Sequence, residues 1–120
     1  MKNINPVWKL LVGYLLLIGL LLVSNGATGQ VIVTEFNAGW NEGNKAEWVK
    51  DLSDCNITYV DITKSPKIQQ KHNVIVVPTI IIFNADGDEV KRWQADLSFK
   101  MVATKEEIQD YIDEMVLSDF

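Results

Sequence analysis

Residues 30–120 predict a single α/β domain, a four-stranded mixed sheet with helices on both faces, in the order β-α-β-α-β-β-α. Three observations carry this. A β-branched, nearly continuous run, Val31–Phe36, and a second β-rich run, Ile57–Ile62, flank a helix-like segment. A helix that joins two buried strands implies a parallel pair with a right-handed crossover. Two further runs, Thr79–Phe83 and Glu89–Trp93, are separated by the turn Asn84-Ala85-Asp86-Gly87 and so form an antiparallel hairpin. The chain then closes on Thr104-Lys105-Glu106-Glu107, a capping box that opens an amphipathic helix.

Residues 1–29 have a different character. Lys2 and Lys9 precede Leu10–Val23, a run that is apolar apart from Gly13, Tyr14 and Gly19, and small or polar residues follow from Ser24 to Gly29. This is the layout of a secretory signal peptide, with Ala27 and Gly29 at the −3 and −1 positions and Gln30 as the new N-terminus. Extended to residues 7–23, the same run reads as an uncleaved N-terminal membrane anchor, with Lys9 snorkelling. Both readings place the domain across a membrane, periplasmic or secreted in one case and tethered in the other. No cysteine follows the run, so a lipid-modified cysteine is excluded there.

Within the domain, Val31–Phe36 has the composition of a strand buried on both faces. Asn37-Ala38-Gly39 reads as a loop. Lys45–Leu52 reads as a helix, with Trp48, Val49 and Leu52 on one side and Glu47, Lys50 and Asp51 on the other. After the second strand, Ser65-Pro66 starts a short helix, Ser as cap and Pro at the first helical position, and Asn73 suits a left-handed residue at its end. Pro78 opens the third strand. The final helix lines up Ile108, Tyr111, Ile112, Met115 and Val116. Residues 95–103 alternate apolar and polar, which fits a strand extension or a packed loop.

The composition excludes several classes of function. All 16 acidic residues and only 9 of the 11 basic ones fall in residues 30–120, which argues against nucleic-acid binding through clustered Lys and Arg and against a polybasic membrane patch. One cysteine, Cys55, permits no intramolecular disulfide, and one Cys with one His, His72, rules out zinc sites built from those residues. No cofactor or metal is implied. Asp86, Asp88 and Glu89 flank a hairpin turn and are too few for an EF-hand calcium loop.

The element order, with three motifs in it, resembles thioredoxin. Thioredoxins carry Trp-Cys-Gly-Pro-Cys-Lys after the first core strand, and here Trp40-Asn41-Glu42-Gly43-Asn44-Lys45 stands at that point, after Thr34-Glu35-Phe36. Val77-Pro78-Thr79-Ile80-Ile81-Ile82-Phe83 is similar to the family's Ile-Pro-Thr-Leu-Leu-Leu-Phe, and the Asp86-Gly87 turn and the last helix also fit. The resemblance spans about Val31 to Val116 and implies a minimal thioredoxin fold without the family's first strand and helix. It implies a cis bond at Val77–Pro78. It also places Asn41 and Asn44 where the family has its two cysteines. A carboxamide neither attacks a disulfide nor resolves a mixed one, so redox inactivity is expected.

What remains of the family's substrate surface is Trp40, the Asn41–Asn44 loop and the Val77–Pro78 edge, where the residue before the proline offers its backbone to an extended peptide. The function expected is binding of a protein or peptide by short β-augmentation. In the plainer reading Asn41 or Asn44 is only a helix N-cap. The alternatives are an oxidoreductase-related protein using Cys55 or a partner's thiols, and an interaction module tethered by its N-terminal helix. Asp51 and Asp54 lie near Cys55 in sequence and disfavour its thiolate. His72 is expected at the surface, without an acid beside it. Trp40 and Trp93 fit core or surface equally. Glu35 shares a strand face with Val31 and Val33, beneath the Asn41 loop. Thioredoxins keep a proton-transferring carboxylate there. Tyr59 falls where the family has a Lys, so Glu35 either hydrogen-bonds to Tyr59 or bends out to solvent.

Overall fold

The computed structural model describes residues 30–118; the expected signal or anchor in residues 1–29 lies outside them. Among the described residues no helix is long and apolar enough to cross a membrane. Four strands, β1 (Val31–Asn37), β2 (Cys55–Asp61), β3 (Thr79–Phe83) and β4 (Glu89–Gln94), form one sheet in the order β2-β1-β3-β4. β1 and β2 are parallel, and β3 runs antiparallel to both β1 and β4. Two α-helices complete the described chain, α1 (Pro66–Lys71) and α2 (Lys105–Ser118).

β1 and β3, the central strands, are buried along their whole length, as their unbroken apolar runs require. Strand alternation divides the core in two. Val31, Val33, Ile80 and Ile82 face α2, whose Ile108 and Ile112 are fully buried against them, with Tyr111, Met115 and Val116 packed alongside. Ile32, Phe36, Ile81 and Phe83 face the other way, with Val60, Val74, Val77 and, from α1, Ile68. The Asn84–Asp88 turn closes on the Asn84 side chain, whose Oδ1 accepts from the backbone N–H of Asp86 and Asp88, with Gly87 at φ +86°. Glu89, in the acidic cluster, is paired with Arg92 at 2.6 Å, and Arg92 also donates to the carbonyls of His72 and Asn73.

The helix expected over Lys45–Leu52 is not an α-helix. The chain forms two 3₁₀ segments, Gly39–Asn44 and Glu47–Asp51, with extended backbone at Lys45 and Ala46 between them. The buried residues explain why. Ala46, Val49 and Leu52 fall every three positions, and their hydrogen bonds run Val49 N–H to Ala46 carbonyl and Leu52 N–H to Val49 carbonyl. A three-residue repeat suits the 3.0 residues per turn of a 3₁₀ helix better than an α-helix.

Other local expectations are adjusted in detail. Ser65 stands at the N-cap of α1 with Pro66 at the first position, but its hydroxyl makes no capping bond. Asn73 is left-handed as expected, at φ 52°. Only half of the capping box forms: Thr104 Oγ1 accepts from Glu107 N–H, while the Glu107 carboxylate accepts from Trp93 Nε1. Trp93 is half-buried and meets Tyr111 edge-on. His72, expected at the surface, is half-buried. It packs between the rings of Phe36 and Phe83, with centroids at 5.6 and 5.1 Å, and burial, then the Lys71 charge, lowers its pKa.

Candidate functional site

The strand directions gather three distant segments at one sheet edge. β1 ends at Asn37, β3 starts opposite it with Thr79 paired to Phe36, and β4 ends where Gln94 pairs with Thr79. The loop carrying Trp40 to Lys45, the Val77–Pro78 bond and the 95–101 segment therefore share that edge. The Val77–Pro78 bond is cis, and Pro78 O accepts from Ala95 N–H at 3.0 Å. Val77 and Pro78 side chains are buried, but among the described residues no hydrogen bond engages the Val77 backbone.

The 95–101 segment is neither a strand extension nor a packed loop: it is an exposed turn, with residues 96–100 all exposed and Leu97 97% so. Ala95 bridges Met101, and the Asp96 carboxylate accepts from Ser98 N–H, Ser98 Oγ and Lys100 N–H. This turn sets Phe99 in a left-handed conformation, φ 63°, with its ring edge-on to Trp40 at 5.2 Å between centroids. Trp40 is 65% exposed, which resolves its status, and Leu97 and Ile75 are also exposed.

Asn41 and Asn44 are not helix caps. Asn41 is 4% exposed, and its Nδ2 donates to Asn37 Oδ1 at 3.0 Å and to the Phe99 carbonyl at 3.2 Å. Its Oδ1 accepts from Asn44 Nδ2 at 2.9 Å, and Asn37 Nδ2 donates back to the Asn41 carbonyl. The amides form a chain, Asn44 to Asn41 to Asn37, that ties the loop after β1 to a residue 58 positions away. In place of the α-helix N-terminus they were expected to cap stands the 3₁₀ turn, with the exposed Glu42 and Gly43 at its tip.

Glu35 lies beneath this loop, 1% exposed, on the face of Val31 and Val33. It is in register with Tyr59 on β2 and Ile80 on β3. The expected bond to Tyr59 is replaced by one from the main chain: Ala46 N–H donates to Glu35 Oε2 at 2.9 Å. That bond pins the extended link between the two 3₁₀ segments. Glu35 Oε1 has no hydrogen-bond partner. Burial raises the Glu35 pKa, opposed by the Ala46 bond and the Lys45 charge. Tyr59 turns its ring to Lys45, whose ammonium lies 5.2 Å from the ring centroid and 3.7 Å from Glu42. Glu35, Lys45, Tyr59 and Asp61 line a cleft of about 350 Å³.

Cys55 is half-buried at the start of β2 against the first core. Burial, then the Asp54 charge, pushes its thiol up to about 11, the opposite of what a nucleophile needs. Among the described residues no cluster of three His, Cys, Asp or Glu side chains could hold a metal.

Sequence reading missed Asn37 and Phe99 as site residues, and the Ala46 N–H as the partner of Glu35. The Asp96-x-Ser98 spacing, an Asx/ST turn pattern, was the available signal for the loop that presents Phe99. The Ala46 donor is a backbone group and leaves no side-chain signature.

No family model matches the chain, and no curated protein matches it in sequence. Solved structures do. Fasciola hepatica thioredoxin is 25% identical, over 82% of this chain and 90% of that one, with a TM-score of 0.55. Schistosoma mansoni thioredoxin is 23% identical, over 79% and 85%, with a TM-score of 0.58. A point mutant of thioredoxin from Halobacterium salinarum is 21% identical, over 72% and 74%, with a TM-score of 0.56. The chain has a thioredoxin-like fold, and with a single cysteine it lacks a CxxC pair.

Proposed function

We propose that the domain is exported, that Asn41 and Asn44 stand in for the family's two active-site cysteines, and that it binds an extended segment of a protein partner without thiol–disulfide exchange. The observation that carries the reading is the edge itself. The Val77 backbone is free of hydrogen bonds among the described residues, beside the cis proline and on the edge that exposes Trp40. An unpaired main-chain segment next to an exposed aromatic suits strand addition, in which backbone bonds give affinity and the ring covers a side chain. Asn41 spends its amide on holding the loop closed, a positioning role that keeps Trp40 against Phe99.

Two measurements test this. The full-length chain in an insulin-reduction assay with dithiothreitol should show only the background rate. Faster turnover abolished by Cys55→Ser would promote the one-cysteine oxidoreductase, against which the raised Cys55 pKa already argues. A partner captured by the wild type should be lost by Trp40→Ala with thermal stability largely kept. Equal capture by both proteins refutes the edge as the binding surface.

A further inference from the structure

The cleft over Glu35 is chemically distinct from the Trp40–Val77 edge. Three carboxyl groups, Glu35, Glu42 and Asp61, line it against one ammonium, Lys45. They are not equivalent. Asp61 Oδ1 is committed to the N–H and hydroxyl of Thr63, at 2.9 and 2.6 Å, and Glu42 stands exposed at the rim. Glu35 alone is both buried and incompletely bonded, with Oε2 on the Ala46 N–H and nothing on Oε1. A buried carboxylate oxygen without a donor carries the desolvation penalty uncompensated. The partner that best offsets it is a charged donor, because charge-assisted bonds are about twice as strong as neutral ones.

A second, independent feature points to the same ligand chemistry. Tyr59 is the cross-strand neighbour of Glu35 and presents its ring to the cleft. That ring already holds a cation, the Lys45 ammonium at 5.2 Å, which also pairs with Glu42 at 3.7 Å. Lys45 thus shows what the walls attract, while leaving Glu35 Oε1 without a donor. The cleft volume of about 350 Å³ falls at the small end of ligand sites, which run from roughly 300 to 1,000 Å³. It suits an alkyl chain ending in a charge rather than a cofactor.

We propose that this cleft binds an organic ammonium group between the Glu35 carboxylate and the Tyr59 ring, with Lys45 the internal cation that the ligand displaces. The group belongs to a small primary amine or to a lysine side chain of a protein partner. The site does not rest on the peptide reading of the neighbouring edge, and its occupancy is measured without any partner.

The probe is n-butylammonium, titrated into the full-length chain in nonionic detergent and followed by NMR at the Glu35 carboxyl carbon and the Tyr59 ring. Both signals should shift saturably, and n-butanol and butyrate should leave them unmoved. Glu35→Gln, which keeps an acceptor for Ala46 N–H, should weaken binding by about tenfold. Lys45→Met should tighten it, because the competing cation is gone. Trp40→Ala should leave it unchanged. If Glu35→Gln folds poorly by circular dichroism, Tyr59→Leu provides the same test through the ring, with weaker binding expected. An acetylated Gly-Gly-Lys-Gly-Gly amide set against its norleucine analogue separates the two sources: binding of the lysine peptide assigns a partner's side chain, and binding of butylammonium alone assigns a free amine. A linear, non-saturating response to butylammonium, preferential binding of butyrate, or undiminished affinity in a folded Glu35→Gln protein would overturn the proposal.

Discussion

Two polar clusters lie side by side at the carboxyl end of β1, and they differ in how completely they are bonded. In the amide cluster, Asn41 uses both donor hydrogens and its acceptor on Asn37, Phe99 and Asn44. In the carboxyl cluster, Glu35 is more deeply buried yet satisfies only one of its two oxygens. A fully bonded buried network fixes one arrangement of the chain, here the closure of two loops on each other. A partly bonded one leaves a buried polar atom unpaired, which is costly to keep. Asn41 and Asn44 serve to close the loop, and the acid beneath them has one oxygen without a hydrogen-bond donor.

The largest effect should come from the bonded side. Asn41→Ala removes three hydrogen bonds and leaves Asn37 Oδ1 without its donor; a loss of roughly 2–4 kcal/mol in urea unfolding is expected. A loss under about 0.5 kcal/mol, the range of an ordinary surface change, would show that the network is dispensable. Next is Trp40→Ala. Its ring is mostly exposed and has one aromatic neighbour, so stability should fall by only about 0.5–1.5 kcal/mol. The affinity for a captured partner should fall by roughly 1–3 kcal/mol, as read by calorimetry on the same variant.

Glu35 gives a pH signature with a definite sign. Its pKa is raised in the folded state, chiefly by burial, so the folded protein holds the proton more tightly than the unfolded one. Stability linked to Glu35 is therefore fully present below the unfolded carboxyl range and is lost as pH climbs through the higher folded value. Glu35→Gln should raise the melting temperature at pH 8 and have much less effect at pH 4. The same gain at both pH values would mean that ionisation is not the cause. The smallest effect is expected for Tyr59→Phe. Ala46, not the phenol, supplies the bond to Glu35, so unfolding free energy should stay within about 0.5 kcal/mol.

The chain by itself determined the sheet, because its signals are local. The β-branched run marked β1 as a strand buried on both faces, the Asn84–Gly87 turn specified the hairpin, and the spacing of Ile108 and Ile112 oriented α2, while the second run, read as equally buried, is the part-exposed edge strand β2. Strand alternation also put Glu35 on the buried face with Val31 and Val33. Other features were decided only by tertiary structure. Over eight residues, Lys45–Leu52 fits either a 3.6-residue or a 3.0-residue repeat; burial of Ala46, Val49 and Leu52 favours the tighter one, and the bond from Ala46 to Glu35, across 11 positions, holds the extended residue before it. Asn41 reads as a helix N-cap or a surface binding amide until Phe99, 58 residues on, brings its carbonyl to the amide. His72 reads as a surface residue, and contacts with the Phe36 and Phe83 rings leave it half-buried. In each case the deciding partner is distant in sequence or is a backbone group. Periodicity reports which face a residue occupies; which polar atom meets it there is set when the strands and loops converge.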